Sequence, residues 1–227
     1  VTIAHAKSLA RVTDAAGGPR AGRAQGELDV IHDGALAIRG GVIKAVGSSE
    51  EVLRRYGDDA PVLDASGKTV LPGLVECHCH PIFAGDRHWE YVRRLEGASG
   101  GEIRAEGGGI WSTIVNTRQA GDEELLRNAA RAFERIAAGG VTTLEVKSGY
   151  GLDAEGELRL LRLLRQAAGH TAMDIVFTFL GAHIAPQDGR SAEAFLASVR
   201  NEMLPAALAQ GIAELHGLAF LPVKVPW

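Results

Sequence analysis

From about residue 69 the chain alternates apolar runs with amphipathic segments of helical period, and few architectures accommodate that rhythm. The run VTTLEVKSGYG (141–151) is β-branched and ends in a glycine-rich turn, and MDIVFTFLGAH (173–183) reads as a second buried strand. Between and around them, GDEELLRNAARAFERIAAGG (121–140) sets Leu125, Leu126, Ala129, Ala130, Phe133, Ile136 and Ala137 on one helical face. It closes on a glycine pair suited to a C-terminal cap. Residues 153–168 repeat the pattern around Leu158, Leu161 and Leu164, and residues 191–211 give a further helix. Continuous apolar strands separated by helices predict a parallel sheet with crossover helices, because such strands are covered on both faces.

Residues 1–68 are of another kind. VTIAHAKSLARV, GALAIRGGVIKAVGS and PVLDASGKTVL are short apolar stretches punctuated by glycine turns, the signature of strands joined tightly. A glycine-rich loop, DAAGGPRAGRAQGE, interrupts them. SSEEVLRRYG (48–57) predicts a short helix with serine at its N-cap and acidic residues in its first turn. The expectation is a small β-rich module over 1–68, βα units over 69–213, and a divergent tail over 214–227.

The side chains with chemical character fall at the ends of the expected parallel strands. TVLPGLVECHCH (69–80) runs straight into His78 and His80, and in extended backbone residues two apart share a face. Two imidazoles aimed at one spot are what a metal ion requires of two of its ligands, although hydrogen-bonded loop histidines have the same spelling. Lys147, Tyr150 and His183 follow the next two strands. In a parallel α/β barrel the C-terminal ends of the strands form the active face.

Arg87 lies beyond a glycine loop and suits bidentate binding of a carboxylate better than lysine would. Tyr150, between two glycines, reads as a turn residue or as a hydrogen-bonding group for a ligand. His183, in LGAHIAP, reads as a core histidine, a metal ligand or a group that polarises a carbonyl. Lys147 is either a carbamylated bridge between metals or the partner of Glu145 in an ion pair, the second being the simpler. The glycines of GGGI (107–110) are expected to allow close backbone approach.

Composition excludes several classes. The formal charge is −4 with no basic block, which argues against nucleic acid as a partner. No apolar run reaches the roughly 18 residues of a membrane span, and the first residues lack the apolar stretch of a secretory signal. The only cysteines, Cys77 and Cys79, would have Cα atoms roughly 6.5–7 Å apart along a strand, poor geometry for a disulfide. Two small buried thiols in a reducing cytoplasm are therefore expected.

The motifs taken together carry a resemblance. LPGLVECHCHPIFAGDR resembles the first-strand motif of the metal-dependent amidohydrolase superfamily. FAGDR, EGAS, GGGIWST, TRQAGDEELL, GVTTLEVKSGYGLDAEGELRLLR and FLGAHIAP, in order from about residue 30 to residue 213, are similar to the imidazolonepropionase family. Glu76 stands where that family usually has aspartate, and Gly100 where it often has tyrosine.

The resemblance implies part of a (β/α)8 TIM-like barrel preceded by a small sandwich-type β module. It implies a cytoplasmic hydrolase of histidine degradation that opens the cyclic amide of 4-imidazolone-5-propionate to N-formimidoylglutamate, with one divalent metal, zinc or iron. His78 and His80 would be metal ligands. Arg87 would hold the substrate carboxylate, Tyr150 would contact the substrate, and His183 would sit beside the metal and the attacked carbonyl. The partner is a small carboxylate-bearing molecule, with a homodimer left open. Another cyclic amidase of the superfamily, or a non-catalytic fragment, are the alternatives. About 160 residues follow the β module, against about 250 for a full barrel. The barrel is therefore expected to be incomplete in this chain, with the remaining ligands and the acid–base carboxylate outside it.

Overall fold

The computed structural model describes residues 1–11 and 21–210, so the tail expected at 214–227 and the first half of the glycine-rich loop lie outside it. Two compact units divide at Gly73: Val1–Gly73 and Leu74–Trp227.

The first unit is a single five-stranded sheet. Its elements are β1 (Thr2–Arg11), β2 (Asp29–Arg39), β3 (Val42–Ser48), helix α1 (Ser49–Tyr56), β4 (Val62–Asp64) and β5 (Thr69–Val70). The strands run β3-β2-β1-β4, with β5 also pairing β1; the first two pairings are antiparallel, and those of β4 and β5 with β1 are parallel. Ser48 and Glu51 cap α1 reciprocally, as the serine followed by acidic residues predicts.

A bulge in β1 between Ile3 and Ala6 moves successive alanines to opposite faces. Ala4 packs with Ala35, Ala37 and Val52, whereas Ala6 packs with Leu9, Leu36 and Ala65. His5, at φ +61°, sits in the bulge, and its N–H donates to the buried Ser49 hydroxyl at 2.9 Å. The expected β-rich module is thus one sheet with a helix against it. The second β layer that a sandwich needs is not among the described residues.

The second unit is α/β. It contains β6 (Leu74–Cys79), α2 (His88–Leu95), α3 (Gly100–Ala105), α4 (Ile110–Gln119), α5 (Asp122–Ala138), β7 (Val141–Lys147), α6 (Ala154–Ala168), β8 (Asp174–Thr178), α7 (Ala192–Ser198) and α8 (Leu204–Ala209). The three strands form a parallel sheet in the order β6-β7-β8. The main core joins Leu125, Ala129 and Phe133 of α5 and Leu160, Leu163 and Leu164 of α6 to Leu144 and Val146 of β7. Helix α6 has a second apolar edge, where Leu158 and Leu161 meet Ala207 and Phe179.

Three expectations need correction. The helix read over 191–211 is interrupted by a π-turn at Val199–Met203, just ahead of Pro205, which supplies no N–H to the regular ladder. Strand β8 ends at Thr178 rather than near 183, because the chain turns: the His183 N–H donates to the Leu180 carbonyl at 2.9 Å. The two thiols are free, but Cys77 is exposed and only Cys79 packs on the core, with the register of β6 against β7 shifting between Glu76 and Cys79. Helices α2, α3 and α4 carry no long apolar stripe. Of the three, α3 opens on a Ser99–Glu102 capping box, whereas α2 and α4 begin without a side-chain cap.

Candidate functional site

Strand β6 brings the two histidines together past an irregularity in its register with β7 between Glu76 and Cys79. His78 lies in the strand, His80 immediately follows it, and their ring centroids are 5.4 Å apart. The Glu76 carboxylate accepts the backbone N–H of His78 at 2.9 Å. Neither ring nitrogen of His80 has a hydrogen-bond partner, although both are buried. Unpartnered buried donors and acceptors are uncommon and call for an explanation.

The ends of β7 and β8 are fastened together above that ring. The Ser148 N–H donates to the Thr178 carbonyl at 3.1 Å, and the Ser148 hydroxyl accepts the Leu180 N–H at 3.0 Å. Gly149, at φ +119°, leaves only room for hydrogen there: a Cβ would lie 2.8 Å from that of His183. Through this seam Tyr150 and His183 close on His80, with ring centroids 5.0 and 4.6 Å from it and 5.7 Å from each other.

Glu157, which sequence reasoning passed over as one more helix residue, holds the seam from beneath. It is fully buried in the first turns of α6, and its carboxylate accepts the N–H groups of Gly149 (2.9 Å), Gly151 (2.7 Å) and Leu152 (3.0 Å). Burial pushes its pKa up against those bonds. A carboxylate in the first turns of a helix that follows a glycine-rich turn, with Asp153 already serving as the N-cap, is the signal that was available.

Arg87 reaches the site from the loop after β6. The Ala84 N–H donates to the Thr117 hydroxyl at 3.1 Å, and Asn128 donates to the Phe83 carbonyl at 2.9 Å. Gly85 turns at φ +78° directly against the Asn116 side chain. Arg87 then begins α2, and its Nε and Nη2 form a fork on Glu90 at 2.6 and 2.9 Å. His80, Tyr150, Arg87, Phe83, Asp86 and Thr113 line one cleft of about 430 Å³. Lys147 forms the ion pair with Glu145, whose carboxylate also accepts the Thr178 hydroxyl. Of the glycines at 107–109, Gly108 provides the close approach, since a Cβ there would stand 2.9 Å from a Glu90 oxygen, whereas Gly107 has nothing within 4 Å.

The electrostatics follow from burial. His80 is driven from an ordinary 6.5 down to about 4, first by desolvation and then by His183, His78 and Lys147. The Ser148 backbone opposes that shift without reaching hydrogen-bonding geometry. His183 is lowered as well, by burial and then by His78. Both rings are therefore neutral at pH 7, the form in which imidazole offers a lone pair to a metal. Burial raises the Tyr150 phenol, against the pull of Arg87.

Among the described residues no set of three or more His, Cys, Asp or Glu side chains converges on one point. The imidazoles of His78 and His80 are donors of a kind that suits a metal, and the His80 ring is in the neutral form that can bind one. No described helix is long and apolar enough to cross a membrane.

Comparison with known proteins identifies the family. Residues 34–58 match the model of an imidazolonepropionase-like composite domain of bacteria. The imidazolonepropionase of Solibacter usitatus is 46% identical over 198 residues, 87% of this chain and 47% of that protein. That of Geobacillus kaustophilus is 37% identical over 218 residues, 94% of this chain and 51% of that protein. The chain spans about half the length of the curated relatives it matches.

Among solved structures, atrazine chlorohydrolase from Arthrobacter aurescens, in complex with zinc, superposes with a TM-score of 0.57 at 15% identity, covering 96% of this chain and 44% of that one. Ochratoxinase from A. niger gives 0.52 at 14%, covering 92% and 44%. At that identity the likeness is one of fold, an α/β fold shared with amidohydrolases. With relatives at 45–46% identity over 86–87% of its length, the chain belongs to the imidazolonepropionase family and corresponds to the N-terminal part of its members.

Proposed function

We propose that this chain carries part of the metal site and the carboxylate-recognition half of an imidazolonepropionase, which opens 4-imidazolone-5-propionate to N-formimidoylglutamate. The observation that carries the reading is His80: its neutral ring has two buried, unpartnered nitrogens, stands beside His78, and lines a cleft that Arg87 also lines. In this reading the parallel strands are the first units of a (β/α)8 barrel, and the N-terminal sheet is one layer of a sandwich.

His78 and His80 would hold a divalent metal, zinc or iron, which supplies Lewis acidity towards water and the amide carbonyl. Arg87 binds the propionate carboxylate and so sets the orientation of the ring in the cleft. Tyr150, raised in pKa and protonated at neutral pH, donates its hydroxyl to the substrate. Neutral His183, packed on His80 at 4.6 Å, hydrogen-bonds the carbonyl under attack. Tyr150, His80 and His183 pack edge-on or tilted against one another, which fixes the three rings as a group at the end of the strands.

Metal analysis on the purified chain tests the reading. Zinc or iron bound in proportion to chain, and lost in both His78→Ala and His80→Ala, is expected. A metal content unchanged by either substitution would remove the basis for the proposed chemistry.

A further inference from the structure

Arg87 is not a free clamp. Its Nε and Nη2 are both committed to Glu90, so only the Nη1–Nη2 edge of the guanidinium is open, and Nη1 has no protein partner among the described residues. Glu90 is in turn held from three sides. Its side chain is 1% exposed, it accepts the Gly109 N–H at 2.7 Å at the start of α4, and it accepts Arg94 at 3.3 Å. Gly108 is pressed against it so closely that a Cβ would meet both its carboxylate and the Ile103 carbonyl at 2.9 Å. A buried carboxylate with this many donors has one position, and a planar guanidinium forked onto it inherits that position.

We propose that Glu90 is a positioning residue for ligand recognition: it fixes the guanidinium of Arg87 by one edge so that a ligand carboxylate in the cleft is gripped end-on by the other. The inference rests on the reading of Arg87 given above. The GGG run of residues 107–109 acquires a purpose through it, as the seat of the carboxylate that aims the arginine.

The test compares two ligands that differ only in charge at one end, imidazole-4-propionate and 4-propylimidazole, titrated calorimetrically into the full chain. Wild type is expected to prefer the carboxylate about ten- to a hundredfold, the range of a charge-assisted fork. Arg87→Ala should abolish the preference. Glu90→Gln should cut it about three- to tenfold while leaving affinity for 4-propylimidazole unchanged, whereas mere loosening of the fold would weaken both ligands alike. Arg87→Lys serves if Glu90→Gln does not fold, since one ammonium cannot fork onto Glu90 and a ligand together; it too should lose the preference. Full preference in Glu90→Gln, or in Arg87→Lys, overturns the role given to Glu90 and leaves Arg87 as the clamp. A wild-type chain without the preference, or one in which Arg87→Ala keeps it, overturns the substrate reading and the inference with it.

Discussion

The Glu90 anchor makes a prediction about stability that is independent of any ligand. Its carboxyl is held at about 2 against an ordinary 4.5, chiefly by the Arg87 fork, then by the Gly109 N–H and the charge of Arg94. A depressed carboxylate stabilises the fold above its unfolded pKa, near 4.5, and that contribution is lost as pH falls from there towards 2. At ~1.4 kcal/mol per tenfold change in proton affinity, the upper bound is about 3 kcal/mol. The side chains of Arg87 and Arg94 are 37% and 54% exposed, so water screens both, and about 1–2 kcal/mol is the expectation.

Glu90→Gln carries no charge at any pH. Urea unfolding, followed by the fluorescence of Trp89 and Trp111, reads the second unit locally, because these tryptophans lie in α2 and α4 beside the anchor. The variant should be less stable than wild type at pH 7, and the gap should narrow steadily as pH falls from 5 to 3. Other depressed carboxylates, Asp122 and Glu106 among them, titrate equally in both proteins and cancel in the difference. A gap that is the same at pH 3 and pH 7 would refute the electrostatic account of the anchor.

Glu157→Ala should destabilise the second unit by about 2–5 kcal/mol, because three buried N–H groups lose their acceptor; equilibrium unfolding measures it, and a loss below 0.5 kcal/mol on the order of a surface change would contradict the seam. In Gly149→Ala the positive φ and the 2.8 Å approach to His183 act together, for a cost of about 1–3 kcal/mol, again read by urea titration. Within the glycine run, Gly108→Ala meets neighbours at 2.7–2.9 Å, whereas Gly107→Ala meets nothing within 4 Å and suffers only from its φ of +88°. The first should therefore lower the thermal midpoint more than the second, and the reverse order would argue against close packing there.

Much of this was legible in the sequence because it is local. The apolar run leading into His78 and His80 marks a strand whose end holds the two rings 5.4 Å apart, although the irregular register between Glu76 and Cys79 is visible only in the pairing with β7. The apolar stripe of residues 121–140 yields α5 within two residues at each end, and Ser48 caps α1 from its own sequence neighbourhood. What was not legible depends on partners far along the chain. Nothing in LGAHIAP states that β8 stops at Thr178, since the turn is set by Ser148, some thirty residues upstream, which accepts the Leu180 N–H. Nor does sequence distinguish Glu90 and Glu157 from the chain's other acidic residues. They are exceptional only because packing removed water from them and replaced it with N–H groups and guanidinium.

Residue spacing thus determined which way side chains face along the regular stretches of strand and helix, since that is a property of backbone geometry, whereas the irregularities in β1 and β6 re-aim the residues around them. The tertiary structure decided which charges are buried, which edge of Arg87 is spoken for, and that His80 is left with two empty nitrogens. Those depend on desolvation and on distances between segments remote in sequence, which no local pattern encodes.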